Sequence, residues 1–176
     1  MGDHSLKESL VFEAPSKEDG QKMWALAKKT SLDLNSAYKY VMMAEYFSET
    51  CMTVKEKDDV VGFVTGFIQP DNPDVYFVWQ VGVDASQRGR GLAFRMLDTL
   101  LSRPVMEDVS YVEATITKDN KASQALFKKI AETRNTEFTV TETFPADVFP
   151  GDSGEAEFTY RIGPFPYAGS QKKEAD

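Results

Sequence analysis

Two arginines alternate with two glycines between an apolar run and a predicted helix. The four residues are Arg88-Gly89-Arg90-Gly91, and the apolar run "VYFVWQVGV" covers Val75–Val83. Backbone amides of such a turn and the first free amides of a helix can converge on a phosphate, and glycine permits a close approach. Arginine side chains would add charge-assisted hydrogen bonds. The pattern therefore predicts an anion site, with a surface loop that only caps a helix as the alternative.

Two other phosphate-binding patterns do not fit this stretch. A dinucleotide fingerprint has three glycines in G-x-G-x-x-G register, and a P-loop ends in Gly-Lys-Ser or Gly-Lys-Thr. The run here is R-x-x-G-x-A from Arg88 to Ala93. We therefore expect an anion turn that belongs to neither nucleotide-binding class.

A series of strands and helices must position this turn. The strand at 75–83 is expected to be buried on both faces because it has almost no polar residue. The next helix carries one apolar side, formed by Leu92, Ala93, Met96, Leu97, Leu100 and Leu101. Other strands are predicted at 10–15, 51–57, 60–70, 110–117, 137–144 and 156–163. Other helices are predicted at 16–29 with Ser16 as cap, from a cap at Asn35 or Ser36, and from Asn120.

The order of these elements predicts the fold class. Along the chain it is β-α-α-β-β-β-α-β-α-β-β, with a hairpin at the charged turn Asp58-Asp59. Early hairpins and later helical crossovers require a mixed sheet. We therefore expect an α/β fold that is not a doubly wound nucleotide-binding fold.

Charge and composition limit the function. The chain has 20 basic and 28 acidic side chains, and its net charge of −8 argues against general nucleic-acid binding. Its 176 residues suffice for one domain, and no apolar run approaches the roughly 20 residues that cross a bilayer. The start "MGDHSLKESL" lacks a signal-peptide core, and Cys51 is the single cysteine. We expect a cytoplasmic protein with neither membrane nor nucleic-acid partners.

Histidine and cysteine chemistry is also restricted. His4 is the only histidine and lies near the start, which argues against a Ser-His-Asp triad and a His-ligated zinc site. Cys51 shows no metal-ligand spacing, so no metal is expected. Cys51 is expected to be a buried strand residue rather than an acyl carrier.

Two segments resemble the acyl-CoA N-acyltransferases of the GNAT superfamily. "VGVDASQRGRGLAF" resembles motif A, written V-x-P-x-x-R-G-x-G-I-G/A, and "ITKDNKASQALFKKIA" resembles motif B, written N-x-x-A-x-x-L-Y-x-x-x-G-F. The element order is similar too, and the resemblance covers residues 10–163. It implies one N-acetyltransferase domain there, with flexible segments at 1–9 and 164–176.

The resemblance also implies an activity. The phrases "SLDLNSAYKY" and "PDVYFVWQVGVD" are similar to a branch of the superfamily that acetylates a diamino acid. The expected reaction transfers acetyl from acetyl-CoA to the 4-amino group of L-2,4-diaminobutyrate by direct attack, in the synthesis of the compatible solute ectoine. The alternatives are a GNAT enzyme for another diamine or amino acid and a non-catalytic acyl-CoA sensor. A homodimer is expected, because the late strands could cover a sheet edge in a partner.

The resemblance assigns residues to acetyl-CoA. Two parallel central strands, 75–83 and 110–117, would diverge after a bulge, and pantetheine would hydrogen-bond to the first strand inside the wedge. Pyrophosphate would lie on the turn at 88–93, and motif B would line the cysteamine end. The full implied set is Val81, Gly82, Val83, Arg88, Gly89, Arg90, Gly91, Leu92, Ala93, Asn120, Ser123 and Phe127.

One position departs from the motif. Many relatives have tyrosine seven residues after the motif B asparagine, where it is thought to protonate the leaving thiolate, but this chain has Phe127. A phenyl ring cannot donate a proton. The usual Gly-Phe at the end of motif B is also replaced by Ala131-Glu132. The resemblance therefore leaves the general acid unassigned.

An acidic site is expected for the acceptor, because an ammonium group must lose a proton before it attacks. Asp33 is a candidate contact for a substrate ammonium, with a helix-capping or surface carboxylate as the alternative. Glu113 interrupts an apolar strand, where it is either catalytic or an ion-pair partner. The proton acceptor is expected to be Glu113 or Asp33, directly or through water. Trp79 is either a wall of the acceptor site or a core residue. The remaining candidates to orient substrate are Asn35, Tyr38 and Gln80.

Overall fold

The computed structural model describes residues 9–151 and 154–165. Its strands form one seven-stranded sheet in the order β1-β2-β3-β4-β5-β7-β6. The strands are β1 Val11–Glu13, β2 Met52–Glu56, β3 Asp59–Ile68, β4 Val75–Val83, β5 Tyr111–Ile116, β6 Phe138–Phe144 and β7 Glu157–Ile162. The helices are α1 Asp19–Ala27, α2 Ala37–Tyr46, α3 Leu92–Leu101 and α4 Lys121–Thr133. This order confirms the predicted fold class.

The segments predicted to be flexible, 1–9 and 164–176, lie outside the described residues except for Ser9, Pro164 and Phe165. His4 also lies outside them.

The two predicted helix caps differ from the prediction. Helix α1 begins at Asp19 rather than directly after Ser16, and the Asp19 carboxylate accepts from the Ser16 amide at 2.9 Å. Ser36 does occupy the N-cap of α2, but its side chain makes no capping hydrogen bond. Its backbone carbonyl instead accepts from the Lys39 amide at 3.1 Å. Asn35 does not cap α2 either, because its amide donates to the Asp33 carbonyl at 3.3 Å.

The chain divides into two compact units, and the division passes within β3 and β4. Unit 1 contains residues up to Thr65 together with Gln80–Met96, and unit 2 contains Gly66–Trp79 and the residues from Leu97 onward.

Unit 1 contains α1, α2 and an antiparallel meander of β1, β2 and β3. A Cβ atom at Gly20 would lie 2.5 Å from the Cα atom of Val41, so α1 and α2 touch at their backbones and glycine is required there. The Tyr40 ring meets the Phe63 ring edge-on at 5.8 Å. The buried cluster of this unit consists of Met23, Leu26, Ala27, Tyr40, Ala44, Val60 and Phe63.

Unit 2 contains the crossover part of the sheet. Strand β5 pairs in parallel with β4 through three residue pairs, from Val75↔Tyr111 to Phe77↔Glu113. On its other side β5 pairs antiparallel with β7, which pairs in turn with β6. The side chains of Val112 and Ile162 are fully buried, and Phe127, Ile130 and Ala131 of α4 are buried as well. The parallel pairing confirms the predicted crossover through α3.

Strand β4 differs from the expectation of burial on both faces. Its even-numbered residues, such as Tyr76 and Val78, are buried, but Phe77, Val81 and Val83 are only partly buried, and Trp79 is 42% exposed. Successive side chains of a strand point to opposite faces, so one face of β4 packs and the other stays partly open. The prediction was wrong because apolar character alone does not show which face is covered.

Candidate active site

The turn at Arg88–Gly91, here called the Arg-Gly turn, has a backbone that favours glycine. Gly89 has φ of 76° and Gly91 has φ of 65°, in the left-handed region that L side chains rarely adopt. A Cβ atom at either glycine would meet no atom within 4 Å. The turn is therefore an exposed backbone segment with open space above it, which is the arrangement that an anion needs to approach amide groups.

The helix that follows supplies the free amides. The first backbone hydrogen bond of α3 runs from the Arg95 amide to the Gly91 carbonyl at 3.0 Å. The amides of Leu92 and Ala93, at the start of the helix, precede that bond and have no helical acceptor. Leu92 is 2% exposed and Met96 is fully buried, which confirms the predicted apolar side and holds the helix start in place.

The two arginines of the turn are held differently. Arg90 donates from Nη1 to Oε1 of Gln87, a buried side chain whose Nε2 donates to Glu56 at 3.3 Å. Asp84 opens the turn by accepting from the Ser86 amide at 2.9 Å. Both arginines are exposed, and Arg90 is in addition anchored to β2 through Gln87.

The loop between α1 and α2, residues 28–36, is tied to β4 through Gln80. The Gln80 amide is 7% exposed and donates from Nε2 to the Asp33 carbonyl at 2.7 Å. Its Oε1 accepts from the Tyr40 hydroxyl at 2.8 Å and from Lys39 Nζ at 2.9 Å. The Asp33 carboxylate is exposed and makes no hydrogen bond or ion pair with the described residues. Gln80 therefore holds the backbone that carries this carboxylate.

Lys39 is a buried charged residue next to Gln80 that the sequence analysis did not single out. Its side chain is buried, with Nζ 3.3 Å from Thr65 Oγ1 and 4.4 Å from the centre of the Tyr40 ring. Burial lowers the pKa of Lys39 to about 8, although the Cys51 thiol acts in the opposite direction. The available signal was its helical spacing, because Lys39 lies four residues before Met43, on the buried side of α2.

The exposed aromatic candidates are Tyr38 and Trp79. Tyr38 is 73% exposed in unit 1, and Trp79 is 42% exposed in unit 2. This exposure argues against the core-packing alternative for Trp79. Asn35, also a candidate, is engaged with the Asp33 carbonyl.

Glu113 lies in unit 2 with both carboxylate oxygens engaged. Oε1 accepts from Arg161, its cross-strand neighbour on β7, and Oε2 accepts from Gln69 Nε2 at 2.8 Å. The Arg161 guanidinium also lies 3.7 Å from the Tyr111 ring centre. The arrangement favours the ion-pair alternative for Glu113.

Cys51 is fully buried, with Sγ 3.8 Å from the Met43 carbonyl. It lies directly before β2 rather than in the strand. The predicted burial is confirmed, and a buried thiol is a poor nucleophile for acyl transfer.

Neither a metal cluster nor a membrane helix occurs in the described part of the chain. There, three or more His, Cys, Asp or Glu side chains nowhere group as metal ligands. No helix of residues 9–151 and 154–165 is long and apolar enough to cross a membrane.

Comparison with known proteins decides the family. Residues 20–131 match the family described as "Acetyltransferase (GNAT) family". The chain belongs to the GNAT family. The match includes both the Arg-Gly turn and the segment that resembles motif B, so the resemblance drawn from the sequence is confirmed.

Two relatives with high sequence identity are named for the same enzymatic activity. The chain is 59% identical over 164 residues to the L-2,4-diaminobutyric acid acetyltransferase of Marinococcus halophilus, which covers 93% of this chain and 95% of the relative. It is 40% identical, with a TM-score of 0.87, to the diaminobutyrate acetyltransferase EctA of Paenibacillus lautus, solved with L-2,4-diaminobutyric acid and coenzyme A. That comparison covers 90% of this chain and 97% of the other. Ard1 of Thermoplasma volcanium, at 20% identity and a TM-score of 0.70, shares the fold.

The GNAT motif B segment is built into the core of unit 2. The Asn120 side chain caps α4 by accepting from the Ser123 amide at 3.1 Å, as predicted for the start of this helix. Phe127 is 2% exposed and packs in the core. The aromatic ring at this position thus has a packing role in addition to any contact with a ligand.

The predicted site residues separate into two groups in this GNAT chain. Unit 1 contains the acceptor candidates Asp33, Asn35, Tyr38 and Gln80 together with the Arg-Gly turn. Unit 2 contains Trp79, Glu113 and the motif B residues. In unit 1, Gln80 is hydrogen-bonded directly to Asp33. In unit 2, Glu113 forms an ion pair with Arg161 of β7.

Proposed function

We propose that the protein transfers the acetyl group of acetyl-CoA to the 4-amino group of L-2,4-diaminobutyrate. The observation that carries the proposal is 59% identity across 93% of this chain to a diaminobutyric acid acetyltransferase. The Paenibacillus relative, with its bound diaminobutyric acid and coenzyme A, supports the same acceptor and cofactor. We place the product, N4-acetyl-L-2,4-diaminobutyrate, in the synthesis of ectoine. Residues 10–163 would form the acetyltransferase domain.

The reaction requires an amine and a thioester in one ternary complex. The 4-ammonium loses a proton, its nitrogen attacks the acetyl carbonyl carbon, and an N–C bond forms as the C–S bond breaks. The products are the N-acetyl amine and coenzyme A. The first proton passes from the ammonium to a base, and the second, lost from the nitrogen that becomes cationic on attack, neutralises the thiolate. Holding the two reactants in line supplies much of the rate enhancement, since proximity can contribute roughly 7–11 kcal/mol.

The Arg-Gly turn is proposed to bind the pyrophosphate of acetyl-CoA. Left-handed glycines with open space above them and the free amides of α3 support this assignment. Arg88 and Arg90 are both exposed cations of the turn, and Gln87 holds the Arg90 side chain. The backbones of Val81, Gly82 and Val83 would bind pantetheine, and Asn120, Ser123 and Phe127 would lie at its cysteamine end.

Asp33 is proposed to contact a substrate ammonium. Its carboxylate is exposed while its carbonyl is held by Gln80 and Asn35, so the charge is positioned without being neutralised by the described residues. Tyr38 and Trp79 would provide aromatic surface for the cationic acceptor. We propose that Gln80 positions the loop, because its two polar atoms already bond within the protein.

Proton acceptance is proposed to occur through Asp33, directly or through water, rather than through Glu113. The ion pair with Arg161 and the hydrogen bond from Gln69 leave Glu113 better suited to stabilising the sheet. Phe127 cannot serve as an acid toward the thiolate.

We propose a homodimer in which the edge strand β6 contributes to the interface. Every residue of β6 is exposed, and Phe138 and Val140 are 37% and 46% exposed on one face of the strand. Phe144, which is 43% exposed, follows the register shift after Glu142. Exposed apolar edge strands are commonly covered by a partner. Light scattering should give twice 19.7 kDa, and Val140→Lys should give a monomer.

We also propose a cytoplasmic location, which cell fractionation would test.

The test of the proposed function is a panel of amines assayed by release of coenzyme A thiol. We expect kcat/KM for L-2,4-diaminobutyrate to exceed the values for ornithine, lysine and spermidine. A faster reaction with any of these would mean a different acceptor. Calorimetric binding of acetyl-CoA without turnover on any amine would instead indicate an acyl-CoA sensor.

A further inference from the structure

A buried lysine lies beside the acceptor candidates of unit 1 without belonging to them. Lys39 is 6% exposed, and an ammonium group that deep is costly unless its donors are paired. Its Nζ donates to Gln80 Oε1 at 2.9 Å and to Thr65 Oγ1 at 3.3 Å. The protein thus maintains a buried cation next to one particular amide.

The ammonium decides how the Gln80 amide is oriented. Lysine carries three donors and no acceptor, so only the oxygen end of the amide can face it. The Tyr40 hydroxyl donates to the same oxygen at 2.8 Å. The nitrogen end must then face away, where it donates to the Asp33 carbonyl at 2.7 Å. Without the ammonium, the Gln80 oxygen would lose one of these two donors, and the remaining Tyr40 hydroxyl can accept as well as donate, so the amide would be held less strictly toward the Asp33 carbonyl.

We propose that Lys39 is a positioning residue for the acceptor amine, because it holds Gln80 in the orientation that fixes Asp33 and the α1–α2 loop. The inference rests on the proposed function, since Asp33 is there assigned to the substrate ammonium. Lys39 acts through Gln80 and does not contact the substrate.

The groups around Lys39 make its effect dependent on pH. Thr65, Gln80, the Tyr40 hydroxyl and the Cys51 thiol face it, and burial lowers the pKa of Lys39 to about 8. Burial raises the pKa of Tyr40, so Tyr40 stays protonated where Lys39 begins to lose its charge. A neutral amine can accept as well as donate, and the orientation of Gln80 is then less strictly enforced.

The test is Lys39→Met in the full chain, which keeps an unbranched side chain that is one atom shorter and removes the donors. We expect kcat/KM for diaminobutyrate to fall about tenfold, as for loss of one charged hydrogen bond, with the acetyl-CoA KM unchanged. Amide hydrogen exchange in residues 28–36 should accelerate. The control is Lys22→Met, which removes an exposed lysine of unit 1 bonded to the Asp58 carbonyl at 2.6 Å. It should change none of these values.

A second variant separates positioning from folding. Gln80→Glu retains an acceptor for Lys39 and Tyr40 but has no donor for the Asp33 carbonyl, so residues 28–36 should exchange faster in it as well. The inference would be overturned if kcat/KM fell equally for diaminobutyrate and acetyl-CoA. It would also be overturned if amide hydrogen exchange in residues 28–36 were unchanged in either folded variant. If the wild type does not acetylate diaminobutyrate, the proposed function fails, and the exchange measurements still decide the role of Lys39.

Discussion

The Arg-Gly turn and the α1–α2 loop, both in unit 1, are held by different forces. At the turn, Gly89 and Gly91 adopt left-handed backbone conformations in open space. At the loop, Gln80 holds the Asp33 carbonyl from a distant strand. The first region depends on backbone conformation, and the second depends on tertiary hydrogen bonds. Changes at the turn should therefore affect acetyl-CoA alone, and changes at the loop should affect the acceptor alone.

The largest effect is expected from Asp33→Asn. Loss of one charged contact to an ammonium group should lower kcat/KM for diaminobutyrate about 10- to 100-fold, with the acetyl-CoA KM within about twofold of wild type. Steady-state kinetics with each substrate varied in turn provide the measurement. Asp59→Asn, at the exposed first residue of β3, is the matched control. Equal increases in both KM values would remove the distinction between the two regions.

The next effect is expected from Gly91→Val. A side chain at φ of 65° costs about 1–2 kcal/mol, so the turn should shift and the acetyl-CoA KM should rise roughly 5- to 30-fold. The diaminobutyrate KM should not change. Gly151 has φ of 81° and open space above it, so Gly151→Val imposes similar strain away from the turn. If both variants raise the acetyl-CoA KM alike, the turn does not bind the cofactor.

A stability measurement sharpens the account of the loop. The folded pKa of Lys39, about 8, lies below its usual value of 10.5, so the unfolded chain binds more protons between these values. The free energy of unfolding should therefore rise with pH, by about 2 kcal/mol between pH 7 and 9.5 from this group. Urea titrations at several pH values should show that the free energy of unfolding rises less steeply with pH in Lys39→Met than in the wild type. Parallel slopes would mean that Lys39 is not a buried cation.

The smallest effect on catalysis is expected from Glu113→Gln. The ion pair with Arg161 is partly buried, so its loss should lower the free energy of unfolding by about 1–2 kcal/mol while kcat/KM stays within about twofold. Denaturation and kinetics on one preparation provide the measurement. A large loss of kcat at neutral pH that recovers at high pH would restore Glu113 as the base.

The comparison also explains what could be predicted from the sequence. The order of elements follows from apolar periodicity, and the Arg-Gly turn from its glycines, because both depend on local chain properties. The contacts of Gln80 with Lys39 and Asp33 join residues that are far apart in the sequence. Local sequence patterns cannot predict which distant residues meet in the fold. Likewise Glu113 and Arg161 pair only through the β5–β7 register. The burial of only one face of β4 could not be predicted either, because it depends on which distant residues pack against the strand.

The central claim is that the chain acetylates the 4-amino group of L-2,4-diaminobutyrate. The most direct test is to incubate purified protein with acetyl-CoA and diaminobutyrate and to determine the position of the acetyl group by two-dimensional NMR of the product. We expect a single product with the amide proton coupled to the C4 methylene. An acetyl group on the 2-amino nitrogen, or no product while coenzyme A is released by hydrolysis alone, would contradict the claim.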